Sequence, residues 1–151
     1  MKIYADHAAT TAVSDTAMAA MLPCFQGIYA NPSSLHSPGQ RAAEKLVEAR
    51  EIFARNLNAA PREITFTSGG SESDVQALRT GAALGARKGK RHILSTKFEH
   101  HAVLHTCQAL EKEGFTVTYL DVHEDGIVRP QELEEAITEE TGLVTIMYAN
   151  N

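Results

Sequence analysis

The residues best suited to chemistry form a Ser-Gly-Gly-Ser run at 68–71, directly after a predicted strand at 63–67. Glycine allows a sharp turn and lets a ligand come close to the backbone. Ser71 and Asp74 have the spacing of a capping box, with Asp in place of Glu or Gln, which predicts that a helix begins there. A helix N-terminus presents free N–H groups and a partial positive charge, and this suits a phosphate. A tight strand-to-helix turn that binds nothing explains the same residues equally well.

Histidine and cysteine side chains are the other candidates for chemistry. An imidazole titrates near neutral pH and suits proton transfer, but His100 taken alone is better explained as a helix cap or a surface residue. Cys24 and Cys107 are far apart in a chain without a secretion signal. We therefore expect reduced thiols in a cytosolic protein, each packing as a small buried hydrophobe. We predict no metal site.

Composition excludes several classes of partner. The chain has 151 residues, enough for one ordinary domain with a core. Its formal net charge is -5, and the densest basic patch, 88–91, is short enough to be a solvated loop. The first residues lack the apolar region of a signal peptide, and no apolar stretch reaches membrane-spanning length. We expect a cytoplasmic protein without nucleic-acid or membrane partners.

Apolar periodicity and turn residues divide the chain into alternating elements. The predicted helices cover residues 15–25, 39–57, 72–88, 101–113 and 130–138. The predicted strands cover residues 63–67, 91–95, 116–120 and 143–148. From residue 63 onward the order is βαβαβαβ, which favours an α/β fold with a mostly parallel sheet flanked by helices.

The last predicted strand, 143–148, is apolar without a polar face, so we expect it to be central and buried. In open α/β sheets the ligand lies beyond the carboxyl ends of the strands. Asn150 and Asn151 fall at that position, and no further element follows them. We therefore expect that the sequence stops in the middle of a domain.

A resemblance to a known family is carried, in order, by the segments Tyr4–Thr11, Asn31–His36, Phe66–Ser73, Glu99–Leu104 and Tyr148–Asn151. In these segments the chain resembles the N-terminal part of a cysteine desulfurase, a pyridoxal 5'-phosphate enzyme of the class V aminotransferase family. The resemblance implies an incomplete segment of the aspartate aminotransferase-like, fold-type-I large domain. It implies that 1–14 form an N-terminal arm or small-domain segment and that 15–151 begin the cofactor-binding domain.

The resemblance also implies roles for particular residues. Gly70 and Ser71 match the positions that hold the cofactor phosphate, in agreement with a helix N-terminus at this point. His100 matches the histidine that stacks on the pyridine ring and serves in proton transfer, so it is the expected catalytic residue. Asn151 matches an asparagine that donates a hydrogen bond to the phenolic oxygen of the cofactor.

Other positions depart from the family pattern or have no assigned role. Val75 stands where many members carry asparagine, and we expect only a local effect on packing. His101 and His105 have no match and are expected to be surface or packing residues. The family's cofactor-binding lysine and sulfur-accepting cysteine fall beyond residue 151, and none of the six lysines or two cysteines here matches them. The Ser33, Ser34 and His36 side chains are expected in a loop near the site, with their role open.

The implied activity converts L-cysteine to L-alanine and passes the sulfur to an enzyme persulfide, for iron–sulfur cluster or thio-cofactor assembly. The implied partners are a second copy of the chain or a complementing C-terminal half, and a sulfur acceptor or scaffold protein. One alternative is a non-catalytic fragment or binding module of this fold. Another is a different class V enzyme, such as a selenocysteine lyase or an aminotransferase. A nucleotide-binding domain is disfavoured because no Gly-x-Gly-x-x-Gly fingerprint is present.

Overall fold

The computed structural model describes residues 2–150, which form two compact units that divide between Phe66 and Thr67. The first unit contains α1 (Asp15–Gln26), α2 (Ser37–Asn56) and a single 3₁₀ turn (Pro61–Glu63). The second unit contains α3 (Gly70–Ala86), β1 (His92–Thr96), α4 (His101–Lys112), β2 (Thr116–Leu120), α5 (Pro130–Ala136) and β3 (Thr141–Val144). The predicted domain boundary between residues 14 and 15 stays a prediction.

Local capping explains where the two long helices of the first unit begin. Ser14 is the N-cap of α1, and its Oγ accepts a hydrogen bond from Ala17 N at 3.2 Å. A side-chain cap satisfies one of the N–H groups that a helix start leaves without a partner. At α2 the cap is His36, whose Nδ1 accepts from Gly39 N at 3.3 Å. Gly39 is needed there for close approach, since a Cβ would lie 2.5 Å from Ser34 O.

The second unit is built on a three-stranded sheet in the order β2-β1-β3. Both strand pairs are parallel, and β1 pairs with β2 in continuous register from His92↔Thr116 to Thr96↔Leu120. Parallel strands need crossover connections, and α4 and α5 lie within the two connections here. The prediction of a mostly parallel α/β sheet flanked by helices is confirmed.

The core of the second unit lies between the sheet and helices α3 and α4. Its buried side chains form two clusters, which comprise Leu78, Val103 and Cys107, and Ala82, Ile93 and Leu110. Each fully buried large aliphatic side chain stabilises the fold by about 1.5–3 kcal/mol relative to exposure. Because these residues recur at helical spacing on α3 and α4, each helix faces the sheet with an apolar stripe.

The two cysteines are free thiols in different surroundings. Cys107 is fully buried in α4, and burial raises the pKa of its thiol. Its predicted packing role is confirmed. Cys24 is only half-buried in α1, so the expectation of a buried hydrophobe was wrong there, because α1 has no fully buried residue.

The strand predicted at 63–67 was wrong. Glu63 closes the 3₁₀ turn, and Ile64 has extended backbone angles but no strand partner among the described residues. A strand needs a neighbour for its N–H and C=O groups. Here Ile64 O instead accepts a hydrogen bond from Arg50 Nε at 3.3 Å, and Phe66 packs edge-to-face on Phe53 with ring centroids 5.8 Å apart. The apolar residues of this segment therefore pack against α2.

The expectation that the last strand is central and buried was also wrong. Strand β3 covers only Thr141–Val144, pairs on one side and is mostly half-buried. The central strand is β1, whose five residues are all buried because it has a hydrogen-bonded neighbour on each side. Among residues 2–150, no helix has both the length and the apolar character that crossing a membrane requires.

Candidate functional site

The candidate site is the carboxyl edge of the sheet in the second unit. Because the three strands are parallel, their carboxyl ends meet at one edge, where ligands bind in open α/β sheets. Helix α4 starts just beyond the carboxyl end of β1. The C-terminal end of α3 lies at the opposite edge, since a Cβ at Gly85 would be 3.1 Å from Gly142 Cα at the start of β3. The N-termini of both helices therefore point to the carboxyl edge.

Packing within the core sets how far the two N-termini reach. Leu78 of α3 and Val103 of α4 belong to the same cluster. With a rise of 1.5 Å per residue, Ser71 lies about 10 Å along α3 from Leu78, and His100 lies about 5 Å along α4 from Val103. Both helix starts therefore lie on the carboxyl side of this shared cluster.

Helix α3 begins without a side-chain cap. It starts at Gly70, and Gly69 is the N-cap residue. The first helical hydrogen bond is donated by Ser73 N to Gly69 O at 3.1 Å, so the N–H groups of Gly70, Ser71 and residue 72 precede the helical ladder. The predicted capping box of Ser71 and Asp74 was wrong, because the helix starts before Ser71.

Glu72 closes the loop before α3. Its Oε2 accepts hydrogen bonds from Ser68 N at 2.7 Å and from Ser68 Oγ at 2.6 Å. The Ser68 hydroxyl, followed by the Ser68 N–H, lowers the pKa of Glu72. Thr67 Oγ1 and Ser73 Oγ add a further contact at 2.6 Å across the same turn. These contacts fix the turn, so the N–H groups at the start of α3 keep their direction.

The space in front of the α3 N-terminus is open. A Cβ built at Gly69 or Gly70 meets no atom within 4 Å. Gly69 has a φ of 167°, which is extended backbone open to any residue, so the predicted sharp turn does not require glycine for its angles. The glycines instead leave room beside unpaired N–H groups and a positive helix end. This arrangement fits an anionic group such as a phosphate.

His100 is the N-cap of α4. Its Nδ1 accepts a hydrogen bond from Ala102 N at 3.1 Å, while the residue as a whole is exposed. A neutral ring with Nδ1 engaged as an acceptor carries its proton on Nε2. The helix-cap explanation of His100 is therefore confirmed, and it leaves Nε2 available for a ligand. His101 and His105 stack on each other at 5.8 Å and are exposed, as predicted for surface residues.

Two further contacts shape this edge. Lys97 Nζ donates to Asp121 Oδ1 at 2.6 Å, and this hydrogen bond lowers the pKa of Asp121. Asn150 Nδ2 donates to Phe98 O, which brings the end of the described chain to the loop before α4. Asn151 lies outside the described residues, so its predicted role stays a prediction.

Sequence reasoning missed Glu99. This side chain is only 5% exposed and lies between β1 and the His100 cap. The available signal was an acidic residue directly between a buried strand and a helix start, where an acidic side chain has backbone donors within reach. Glu99 begins one of the segments that carry the family resemblance, Glu99–Leu104, but the resemblance implies no role for it.

The structure brings three of the predicted site residues, Gly70, Ser71 and His100, to one edge of the second unit. The loop with Ser33 and His36 belongs to the first unit, where Asn31 Oδ1 accepts from Ser33 N at 2.9 Å. The prediction that this loop lies near the site stays a prediction. Within residues 2–150, no group of three or more His, Cys, Asp or Glu side chains is arranged to hold a metal ion.

Comparison with known proteins gives a consistent result along the whole chain. The family profile described as aminotransferase class-V matches residues 3–151. A cysteine desulfurase IscS of Clostridium botulinum (strain Kyoto / Type A2) is 49% identical over 150 residues, which is 99% of this chain and 38% of that protein. The chain spans about two fifths of the length of the curated relatives it matches.

Solved structures agree with the family match. A NifS-like protein superposes with a TM-score of 0.90 at 41% identity, covering 99% of this chain and 41% of the other. A structure of SspA in complex with cysteine superposes with a TM-score of 0.82 at 39% identity, covering 95% of this chain and 41% of the other. These superpositions confirm the fold class that the resemblance implied.

Proposed function

The chain belongs to the class V aminotransferase family, and from that premise we propose that it supplies part of the pyridoxal 5'-phosphate site of a cysteine desulfurase. The observation that carries the proposal is the carboxyl edge of the second unit. There the uncapped start of α3 and the His100 ring lie on one side of one sheet. Relatives named cysteine desulfurase, at close to half identity over the whole chain, support the choice of activity.

Different residues of this edge would hold different parts of the cofactor. Gly70 and Ser71 would bind the phosphate through their N–H groups, where the helix end also favours negative charge. His100 would stack on the pyridine ring, and Asn151 would donate to the phenolic oxygen, as the resemblance implies. When bound, the cofactor supplies an electron sink for the bonds broken in the amino-acid substrate.

His100 would hold and move a proton at Nε2. Its Nδ1 is engaged by Ala102 N–H, which fixes the orientation of the ring and leaves the second nitrogen as the reactive one. Histidine is the side chain most often used for general acid–base catalysis. His101 does not have this role in the proposal, since its ring faces His105.

The proposed reaction converts L-cysteine and an enzyme thiol to L-alanine and an enzyme persulfide. The carbon–sulfur bond of the substrate breaks, a sulfur–sulfur bond forms on the enzyme, and the substrate carbon gains a proton. We further propose a cytoplasmic enzyme that acts as a homodimer or with a complementing second half and passes its sulfur to an acceptor or scaffold protein. The solved relative in complex with cysteine favours cysteine as the substrate.

The test is an assay of the purified protein with everything that co-purifies with it, identified by intact mass. With pyridoxal phosphate and L-cysteine, we expect equal amounts of alanine and transferred sulfur. L-Selenocysteine serves as a parallel substrate, and an amino acid with a keto-acid acceptor tests transamination. Alanine formed only from L-selenocysteine, or transamination without sulfur transfer, would assign a different class V activity. A preparation that binds no cofactor and forms no product would contradict the proposal.

A further inference from the structure

Glu99 is the only fully buried carboxylic acid among the described residues, with 5% of its surface exposed. A carboxyl group is costly to bury unless hydrogen bonds compensate for the water it loses. A buried carboxyl group is therefore expected to have hydrogen-bond partners. Glu99 is also the residue directly before the His100 cap, so its partners determine what surrounds His100.

Both partners of Glu99 bind the same oxygen. Its Oε1 accepts from Thr96 Oγ1 at 3.1 Å and from Met147 N at 2.7 Å. Thr96 is the last residue of β1 and is fully buried, whereas Met147 lies 48 residues after Glu99, beyond β3. Glu99 therefore joins the end of the central strand to a segment that is remote in sequence.

The segment around Met147 has left the sheet. Strand β3 ends at Val144, and Thr145 N still donates to Leu94 O at 2.9 Å. Past that point the segment is tied back by the bond from Met147 N to Glu99 and by the bond from the Asn150 side chain to Phe98 O. The Glu99 carboxylate accepts the hydrogen bond from Met147 N–H that a neighbouring strand would accept if the sheet continued.

We propose that Glu99 is a positioning residue that fixes segment 145–150 against the loop carrying His100. The inference rests on the proposed function, because the two elements that Glu99 joins carry His100 on one side and Asn150, the residue that precedes Asn151 in the sequence, on the other. Their separation would determine whether one cofactor can be contacted from both sides at once. Glu99 itself need not touch the cofactor, and it acts through the backbone of Met147.

The test compares two conservative variants of Glu99 in the complete purified protein. Glu99→Gln keeps an oxygen at the same reach, and Glu99→Asp keeps the acid but is one methylene shorter. The first readout is hydrogen exchange of the Met147 amide without cofactor. We expect exchange about tenfold faster in Glu99→Asp, the size expected for one lost hydrogen bond, and unchanged exchange in Glu99→Gln. Glu124→Asp, an exposed change in the same unit, is the matched control and should have no effect.

The second readout is the dissociation constant for pyridoxal phosphate. It should rise about tenfold in Glu99→Asp and stay within about twofold of native in Glu99→Gln. If native protein binds no cofactor, the proposed function fails, and exchange of the Met147 amide still decides the role of Glu99. Equal exchange of that amide in native protein and Glu99→Asp would overturn the inference even where cofactor binds.

If Glu99→Asp does not fold, Thr96→Val serves as a milder test. Thr96→Val removes the other donor to Glu99 Oε1 and leaves the carboxyl group free to turn away from Met147. We then expect exchange of the Met147 amide about threefold faster than in native protein. Native-like exchange in Thr96→Val, in the absence of a folded Glu99→Asp, would contradict the inference.

Discussion

The two ends of strand β1 carry histidines with opposite surroundings. His92 begins the strand and is 8% exposed, and both of its ring nitrogens bind threonine hydroxyls. Its Nδ1 lies 2.8 Å from Thr141 Oγ1 on β3, and its Nε2 lies 2.9 Å from Thr118 Oγ1 on β2. His100 follows the other end of the strand, is exposed, and uses one nitrogen as a helix cap.

The difference separates a structural end of the sheet from a chemical one. At the amino end the polar groups satisfy one another and join all three strands, so a ligand would have to break existing bonds. At the carboxyl end one imidazole nitrogen and the N–H groups that begin α3 remain available. Polar groups left open beside a fixed scaffold are the starting point for binding and catalysis.

The largest expected effect is on turnover when His100 is replaced. His100→Asn keeps a side-chain oxygen that can cap α4 but removes the imidazole. We expect turnover of L-cysteine to fall by roughly 10²–10⁴-fold, the usual contribution of general acid–base catalysis. His100→Ala should reduce turnover equally. It should also lower the free energy of unfolding by about 1 kcal/mol, because the N-cap of α4 is lost. His101→Ala is the control, and an equal loss of turnover there would mean that the wrong histidine was chosen.

A smaller effect is expected from charge at the start of α3. Gly70→Glu places a carboxylate where the phosphate would lie, and a Cβ at this position meets no other atom. Affinity for pyridoxal phosphate should fall about 100-fold through like-charge repulsion, with little change in stability. Gly70→Ala is the matched control, with a smaller loss of affinity and slightly higher stability. Unchanged affinity in Gly70→Glu, measured by equilibrium titration, would show that the phosphate does not bind at the start of α3.

At the amino end the expected effect is on stability alone. His92→Phe removes two hydrogen bonds, each worth about 0.5–1.5 kcal/mol net, so about 1–3 kcal/mol in all. The threonines themselves are not left unsatisfied, since Thr118 is exposed to water and Thr141 Oγ1 still accepts from Thr138 N. Chemical denaturation should therefore show a loss of this size, while cofactor affinity stays within twofold of native. A loss of affinity as large as that of Gly70→Glu would erase the distinction between the two ends.

The smallest expected effect is a pH dependence at Glu72. Hydrogen bonds from Ser68 hold the folded pKa of this exposed carboxyl below its ordinary value of 4.5. A lowered folded pKa means that the stabilisation is complete above the unfolded pKa and is lost as the pH falls through the folded pKa. Melting temperature should therefore drop more between pH 6 and pH 3 in native protein than in Glu72→Gln. Parallel curves for the two proteins would show that the contacts with Ser68 contribute nothing.

Most of the fold of the second unit could be predicted from the sequence. Strand β2 occupies the predicted residues, and the bounds of α4 and β1 shift by only one residue, because apolar periodicity and Gly114 mark their limits. Burial of β3 could not be predicted, because an apolar run gives the composition of a strand and not the number of its neighbours. The same limit explains the strand expected at 63–67, whose apolar residues pack on α2.

The sequence predicted the helix start and the histidine that make up the candidate site, but it did not predict their local contacts. The start of α3 and the His100 cap lie where glycine and histidine in these segments suggested. The capping box failed because Ser68 and Glu72 supply a different closure of the same turn. Glu99 was missed because its second partner, Met147, is 48 residues away, and a contact at that separation leaves no local pattern in a single sequence.

We propose that the carboxyl edge of the second unit binds the phosphate of the cofactor beside His100. The most direct test is an NMR titration of isotope-labelled protein with pyridoxal phosphate, with phosphate-free pyridoxal as the control ligand. We expect the largest shifts at the amides of Gly70, Ser71 and Glu72 and at the His100 ring, with the amide shifts absent for pyridoxal. Shifts centred on His92 and its threonines, or equal amide shifts with both ligands, would show that the phosphate does not bind at this edge.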